Sequence, residues 1–214
     1  MVVLKVKFLA GRFHATPWGR NVNEGVPEWP PSPYRLARAL IDTWKRRFPD
    51  WPADRILPIL RLFSEKVVFA LPEGVVTHTK SFLNSNEKNA EKKQLVFDAS
   101  VAMGKEASLF IGFDGHLMPD DLDTFRQLAS ELNYLGRSES WAAISISDQE
   151  EQTWNCIPDP EDSDGRVEDV ACLRGESEFT RTADSHVPRG RAKQSKKKKF
   201  NWLEAICKSS EDLL

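Results

Sequence analysis

Val2-Val3-Leu4-Lys5-Val6-Lys7-Phe8-Leu9 runs without a break into Ala10-Gly11-Arg12-Phe13-His14-Ala15-Thr16-Pro17-Trp18-Gly19-Arg20. The first eight residues are rich in β-branched side chains and set Lys5 and Lys7 on one face, the alternation of a half-buried strand. The stretch from Gly11 to Arg20 then gathers two glycines, two arginines, a histidine and two aromatics at the end of that strand. Guanidinium groups and glycine-flanked amides suit phosphate, and flat rings suit unpaired bases. A loop of this kind is expected to contact RNA.

Working outward, Ser32 before Pro33 reads as an N-cap with proline at the first helical position. Leu36, Leu40, Trp44 and Phe48 follow at helical spacing as far as Pro49, with Arg35, Arg38, Lys45, Arg46 and Arg47 on the more polar surface. Arg55 to Phe63 predicts a short helix broken by Pro58, and Lys66 to Leu71 a second strand. Residues 75–94 are too hydrophilic for a core, Asn84 to Lys93 above all, and are expected to project as a loop or hairpin. Leu95 to Ala102 and Ala107 to Phe113 predict strands joined near Gly104. Pro119 and Asp120 open a helix with Leu122, Phe125, Leu128 and Leu132 on one stripe, and Trp141 to Ile146 supplies a last strand. Strand, helix, strand, strand, helix, strand is the order of an α+β, ferredoxin-like domain akin to the RNA-recognition motif, although that fold alone does not fix a function.

At 214 residues the chain suits one core of about 150 residues and a tail. The net charge of −2 conceals a segregation, because residues 1–50 carry nine basic against four acidic side chains and residues 150–184 carry three against eleven. The basic half is the candidate polyanion surface. The domain is expected over residues 1–148, an acidic then basic linker over 149–199 ending in Lys196 to Lys199, and the start of a following segment over 200–214. Phe200 to Ile206 form an apolar cluster that needs a surface to bury it, and Ser209 to Leu214 read as the first turn of a further helix. The chain is therefore expected to be the amino-terminal part of a longer protein.

Cys156, Cys172 and Cys207 form no C-x-x-C pair, so neither a disulfide framework nor a zinc ribbon is indicated, and a reducing cytoplasm is the expected location. Cys156, Cys172 and His186 are too widely spaced for zinc, and Asp162-Ser163-Asp164-Gly165 lacks the flanking acids of a calcium loop. No cofactor is expected. The opening residues have neither the length of a membrane span nor the charged start of a signal peptide, so no membrane partner is expected.

Four blocks now carry a resemblance: Gly11 to Arg20 with Asn23-Glu24-Gly25, Glu28 to Arg35, Leu95-Val96-Phe97-Asp98, and Tyr134-Leu135-Gly136-Arg137-Ser138-Glu139-Ser140-Trp141. In this order they resemble the CRISPR-associated fusion protein of subtype I-G, formerly I-U, in which a Cas family five half precedes a Cas family six half. The resemblance covers residues 1 to about 148 closely and the tail loosely. It implies a repeat-associated RNA-binding fold whose first half holds the 5′ handle of CRISPR RNA in a type I effector (Cascade) complex, beside its backbone and large subunits. The precursor-cutting endoribonuclease half is expected to lie beyond Leu214.

The candidate RNA-binding residues are Arg12, His14, Trp18, Arg20, Arg35, Arg38, Gly136 and Arg137. Trp18 either stacks on a base or packs with Phe13 against the sheet. Gly136 either caps the preceding helix or lets a phosphate approach the backbone beside Arg137, and the two roles are compatible. His14 invites a nuclease reading, since metal-independent RNA cleavage needs a base for the 2′-hydroxyl proton. No sequence-adjacent partner supports it, so no catalytic residue is assigned and a hydrogen-bonding role within the loop is favoured. A metal-independent endoribonuclease and a purely scaffolding subunit are the alternatives.

Overall fold

Leu4, Val6 and Phe8 alternate with the lysines, and in the computed structural model they bury one face of β1 (Val2–Phe8), an interior strand of a four-stranded sheet. The structure describes residues 1–84, 93–148, 152–158, 170–172 and 202–207. β1 continues through Gly11, whose φ of +62° and close approach to the Met103 carbonyl leave no room for a side chain, into the short β2 (Arg12–Phe13). After a 3-10 turn at Val22–Glu24 come α1 (Pro33–Arg47), α2 (Ala53–Leu62), β3 (Val67–Ala70), β4 (Gly74–Asn84), β5 (Lys93–Met103), β6 (Leu109–Phe113), α3 (Pro119–Ser130), β7 (Ala142–Ile146) and α4 (Trp202–Cys207).

The main sheet has the order β3-β6-β1-β7 with every pair antiparallel. β1 and β3 are therefore parallel and joined across β6 by α1 and α2, while β6 and β7 are parallel and joined across β1 by α3. Two such interleaved β-α-β units make the α+β, ferredoxin-like arrangement. Leu36, Leu40 and Trp44 of α1, Ile56, Ile59 and Leu60 of α2, and Phe125 and Leu128 of α3 are buried in one core with Leu4, Ile111 and Phe113 of the sheet. Phe63 lies at its centre, 4.6 Å from the Phe113 ring and 6.0 Å from Phe125. Each fully buried side chain of this size contributes about 1.5–3 kcal/mol.

Two local expectations change, and a third is given its form. Pro58 does not break α2; it lies inside the helix, where the bond it cannot donate would have reached only the carbonyl of Asp54 in the first turn. The two strands around Gly104 belong to different sheets, β6 to the interior of the main sheet and β5 to a second sheet of order β2-β5-β4. The polar stretch is hairpin-like where it is described: β4 and β5 pair from Gly74 opposite Met103 to Asn84 opposite Lys93, and the tip at 85–92 lies outside the described residues.

Beyond residue 148, within the expected linker, two short pieces pack on the core. Asn155 and Cys156 exchange backbone hydrogen bonds with Phe69, and the Asn155 amide bonds both backbone groups of Leu71, which covers the free edge of β3. The carbonyl of Ala171 accepts from the Tyr34 amide at 3.1 Å. The apolar cluster also finds a surface, since Trp202 and Ile206 of α4 are buried against the core beside α1. Phe200 and the turn expected from Ser209 onward lie outside the described residues.

Candidate nucleic-acid interface

Ser32 and Pro33 start α1 as their types dictate, the Ser32 hydroxyl accepting from the Arg35 amide at 3.2 Å. The same turn fixes the basic loop. Glu28, buried, accepts from the Ser32 amide and takes the Arg35 guanidinium in a two-pronged pair, with Nε to Oε1 and Nη2 to Oε2 both at 2.9 Å. Arg35 Nη2 also donates to the Thr16 carbonyl at 2.7 Å, and the Glu28 amide donates to the Ala15 carbonyl. Arg35, expected at a phosphate, is thus a strut between the loop and α1.

His14 holds the other side of the loop. Its ring is almost completely buried, with Nδ1 2.6 Å from Glu139 Oε1 and Nε2 3.7 Å from Asp98 Oδ1 on β5. Its amide donates to the Ser140 hydroxyl at 2.8 Å and its carbonyl accepts from the Arg137 amide at 2.9 Å. The Arg137 guanidinium pairs in turn with Asp98 at 3.2 Å. Burial alone would raise the Glu139 carboxyl, but its own backbone amide, the His14 ring and the Arg137 charge outweigh that and hold it below the usual carboxylate range.

Gly136 makes this approach possible, although it does not cap the helix: α3 ends at Ser130, and Gly136 sits in a separate turn closed by the bridge between Tyr134 and Trp141. Its φ is +89°, and a Cβ there would lie 2.5 Å from the His14 carbonyl oxygen. Only glycine fits.

Of the expected residues, His14, Gly136 and Arg137 are therefore brought together, with Asp98, Glu139 and Ser140 as partners. Trp18, Arg35 and Arg38 share a small cleft of about 160 Å³ with Tyr34. Trp18 is 60% exposed and meets the Tyr34 ring edge-on at 5.5 Å, so it packs on Tyr34 and presents the rest of its surface to solvent. Arg20 pairs with Glu24 at 3.2 Å on the surface. Arg12 is exposed opposite Ala102 and has no ion-pair partner among the described residues. Among the described residues no hydrogen-bond or ion-pair network joins Arg12 or Arg20 to Arg137, whose guanidinium goes to Asp98.

A larger cleft, about 600 Å³, lies between α1 and the segment 131–136. Arg35, Arg38, Asp42 and Arg46 form its helical wall at intervals of three and four residues, and Arg47 pairs with Glu131 across it at 3.1 Å. Asn133 and the partly exposed ring of Tyr134 face them. Arg46, Arg47 and Tyr134 were not among the expected binding residues, although the spacing 35, 38, 42, 46 already marks one stripe of a helix. Asp98 and Glu139 left no such signal, because their partner His14 is far away in sequence.

Among the described residues no cluster of three His, Cys, Asp or Glu side chains is placed to hold a metal ion, and no helix is long and apolar enough to cross a membrane.

No family model matches the chain, and no curated protein matches it. Among solved structures, it is similar to the crystal structure of a CRISPR protein from Archaeoglobus fulgidus, at 14% identity and a TM-score of 0.33 over 69% of this chain. The matched region spans 61% of that protein's length.

Proposed function

We propose that the chain is a noncatalytic RNA-binding subunit of a type I CRISPR effector (Cascade) complex, holding the 5′ handle of CRISPR RNA. One observation carries the RNA reading: Arg38 and Arg46 of α1, with Asp42 between them as the partner of Arg46, face Tyr134 and Asn133 across an open cleft of about 600 Å³. Such a groove offers charge to a phosphate backbone and a ring to an unstacked base. The CRISPR assignment rests on the four sequence blocks described above. In this reading the β4–β5 hairpin reaches toward an adjacent backbone subunit.

The endoribonuclease alternative requires His14 to accept a 2′-hydroxyl proton. A ring enclosed between Glu139 and Asp98 suits the positioning of the loop better than proton transfer with a substrate. The scaffolding alternative predicts a different salt response. Binding of a labelled single-stranded repeat 5′ handle, followed by fluorescence anisotropy from low to high salt, is expected to weaken linearly on a logarithmic plot. Absence of binding at low salt, or affinity indifferent to salt, removes the RNA reading. Cleavage within the repeat in the presence of chelator, abolished by His14→Ala in a folded protein, makes the endoribonuclease the correct alternative.

A further inference from the structure

Trp202 and Ile206 stand one helical turn apart on α4 and are 4% and 6% exposed. A helix of six residues has too few internal hydrogen bonds to persist alone in water, so this one depends on the surface that buries its apolar face. The Arg38 guanidinium donates to the Ile206 carbonyl, one of the acceptors that the last turn of a helix leaves without an internal partner. A cation at that end also opposes the negative pole of the helix.

Arg38 occupies a particular place on α1. It lines both the large cleft with Arg46 and Tyr134 and the small cleft with Trp18 and Tyr34. Arg35 lines both as well but is held by Glu28, so the other guanidinium common to the two clefts is the one engaged by the tail. A second tail contact, from the Ala171 carbonyl to the Tyr34 amide, lies one turn earlier on the same helix.

We propose that α4 is a cis-acting cover on the arginine surface of α1, which a polyanion displaces by taking Arg38 from the Ile206 carbonyl. Both bonds are assisted by the guanidinium charge, but only a phosphate meets that charge with its own and can take the guanidinium in two parallel bonds. The neighbouring arginines of α1 then engage the same strand.

The identity of the polyanion as RNA rests on the function proposed above, whereas the cover itself is tested without RNA. Phenylglyoxal modifies accessible guanidinium groups, and mass spectrometry reads Arg38 separately. Arg38 is expected to react several-fold faster in the double variant Trp202→Ala/Ile206→Ala than in the unaltered chain, and equal rates overturn the cover. Where the double variant fails to fold, Ile206→Ser, which keeps Trp202, takes its place in the same comparison.

With single-stranded polyuridylate as probe, the uncovered variant is expected to bind several-fold tighter, a gain that disappears when Arg38→Ala is added. Equal, measurable binding by both proteins overturns the cover and leaves the RNA reading standing. No binding by either overturns the RNA reading, while the Arg38 labelling rates still decide whether α4 covers α1.

Discussion

His14 Nδ1 lies 2.6 Å from Glu139 Oε1 while Nε2 of the same ring faces Asp98, so one imidazole ties together β2, β5 and the turn that carries Arg137. With Glu139 ionised, the ring donates its Nδ1 proton and the carboxylate can only accept. The pair fixes where the loop of residues 14–20 leaves the sheet, and with it the placement of Trp18. This cluster is a structural clamp beside the candidate RNA surface.

Acid is expected to loosen that clamp through Glu139. Its folded-state carboxyl is held below the usual range, so the stabilisation it gives is complete above the unfolded value of about 4.3 and is lost as pH falls through the folded value. Glu139 is more than a third exposed, which reduces the worth of the contact to about 1 kcal/mol. Glu139→Gln should lower the melting temperature by about 2–4 °C at neutral pH, and the two proteins should converge in acid. Parallel melting-temperature profiles across the acid range count against the clamp.

Gly136 and Gly19 both have positive φ, at +89° and +79°, but only the first is crowded. A Cβ at Gly136 meets the His14 carbonyl at 2.5 Å, whereas one at Gly19 meets nothing within 4 Å. Gly136→Ala is expected to cost about 3 kcal/mol or to shift the turn, and Gly19→Ala only about 1 kcal/mol. Urea denaturation measures both, and equal costs would mean that the approach of the turn to His14 does not hold the loop.

The main sheet was legible in the sequence because its signals are local. Lysine alternation in β1, the Ser32-Pro33 start of α1 and the apolar stripe ending in Leu132 each report on neighbours a few residues away. Strand identity was less accessible, since β5 and β6 are similar apolar runs and only long-range pairing assigns them to different sheets. The site divided the same way. Arg35 was found as a cation, but its engagement by Glu28 depends on how the chain folds back before α1. Asp98 and Glu139 were missed because nothing in their own surroundings marks them as partners of His14.

The pair between Glu28 and Arg35 leads to an asymmetric result. Glu28 is buried and Arg35 mostly so, and removing one partner leaves the other charge without its counterpart. Glu28→Ala should cost about 3 kcal/mol. Arg35→Ala frees the Thr16 carbonyl as well and should loosen the loop, read as faster amide exchange over residues 14–20. A loss below about 0.5 kcal/mol for Glu28→Ala would show that this fork does not anchor the loop.

Neighbouring cations on α1 provide the sharpest test of the cleft. Arg46 lines it opposite Tyr134, whereas Lys45, the residue before it, lies over the Trp44 ring at 3.7 Å and does not line the cleft. Both are exposed and both carry one positive charge, so a response to net charge alone would treat them alike. A groove that tracks a single strand treats them differently, because each neutralised phosphate contributes about 0.7 to the slope of log affinity against log salt. Arg46→Ala should therefore weaken single-stranded RNA binding and reduce that slope by about 0.7, while Lys45→Ala leaves the slope nearly unchanged. Tyr134→Ala should weaken binding by about 1–3 kcal/mol with the slope preserved, as expected for lost stacking without a lost phosphate contact. Equal slopes for the Arg46 and Lys45 variants, together with no effect at Tyr134, would place the bound strand elsewhere on the protein.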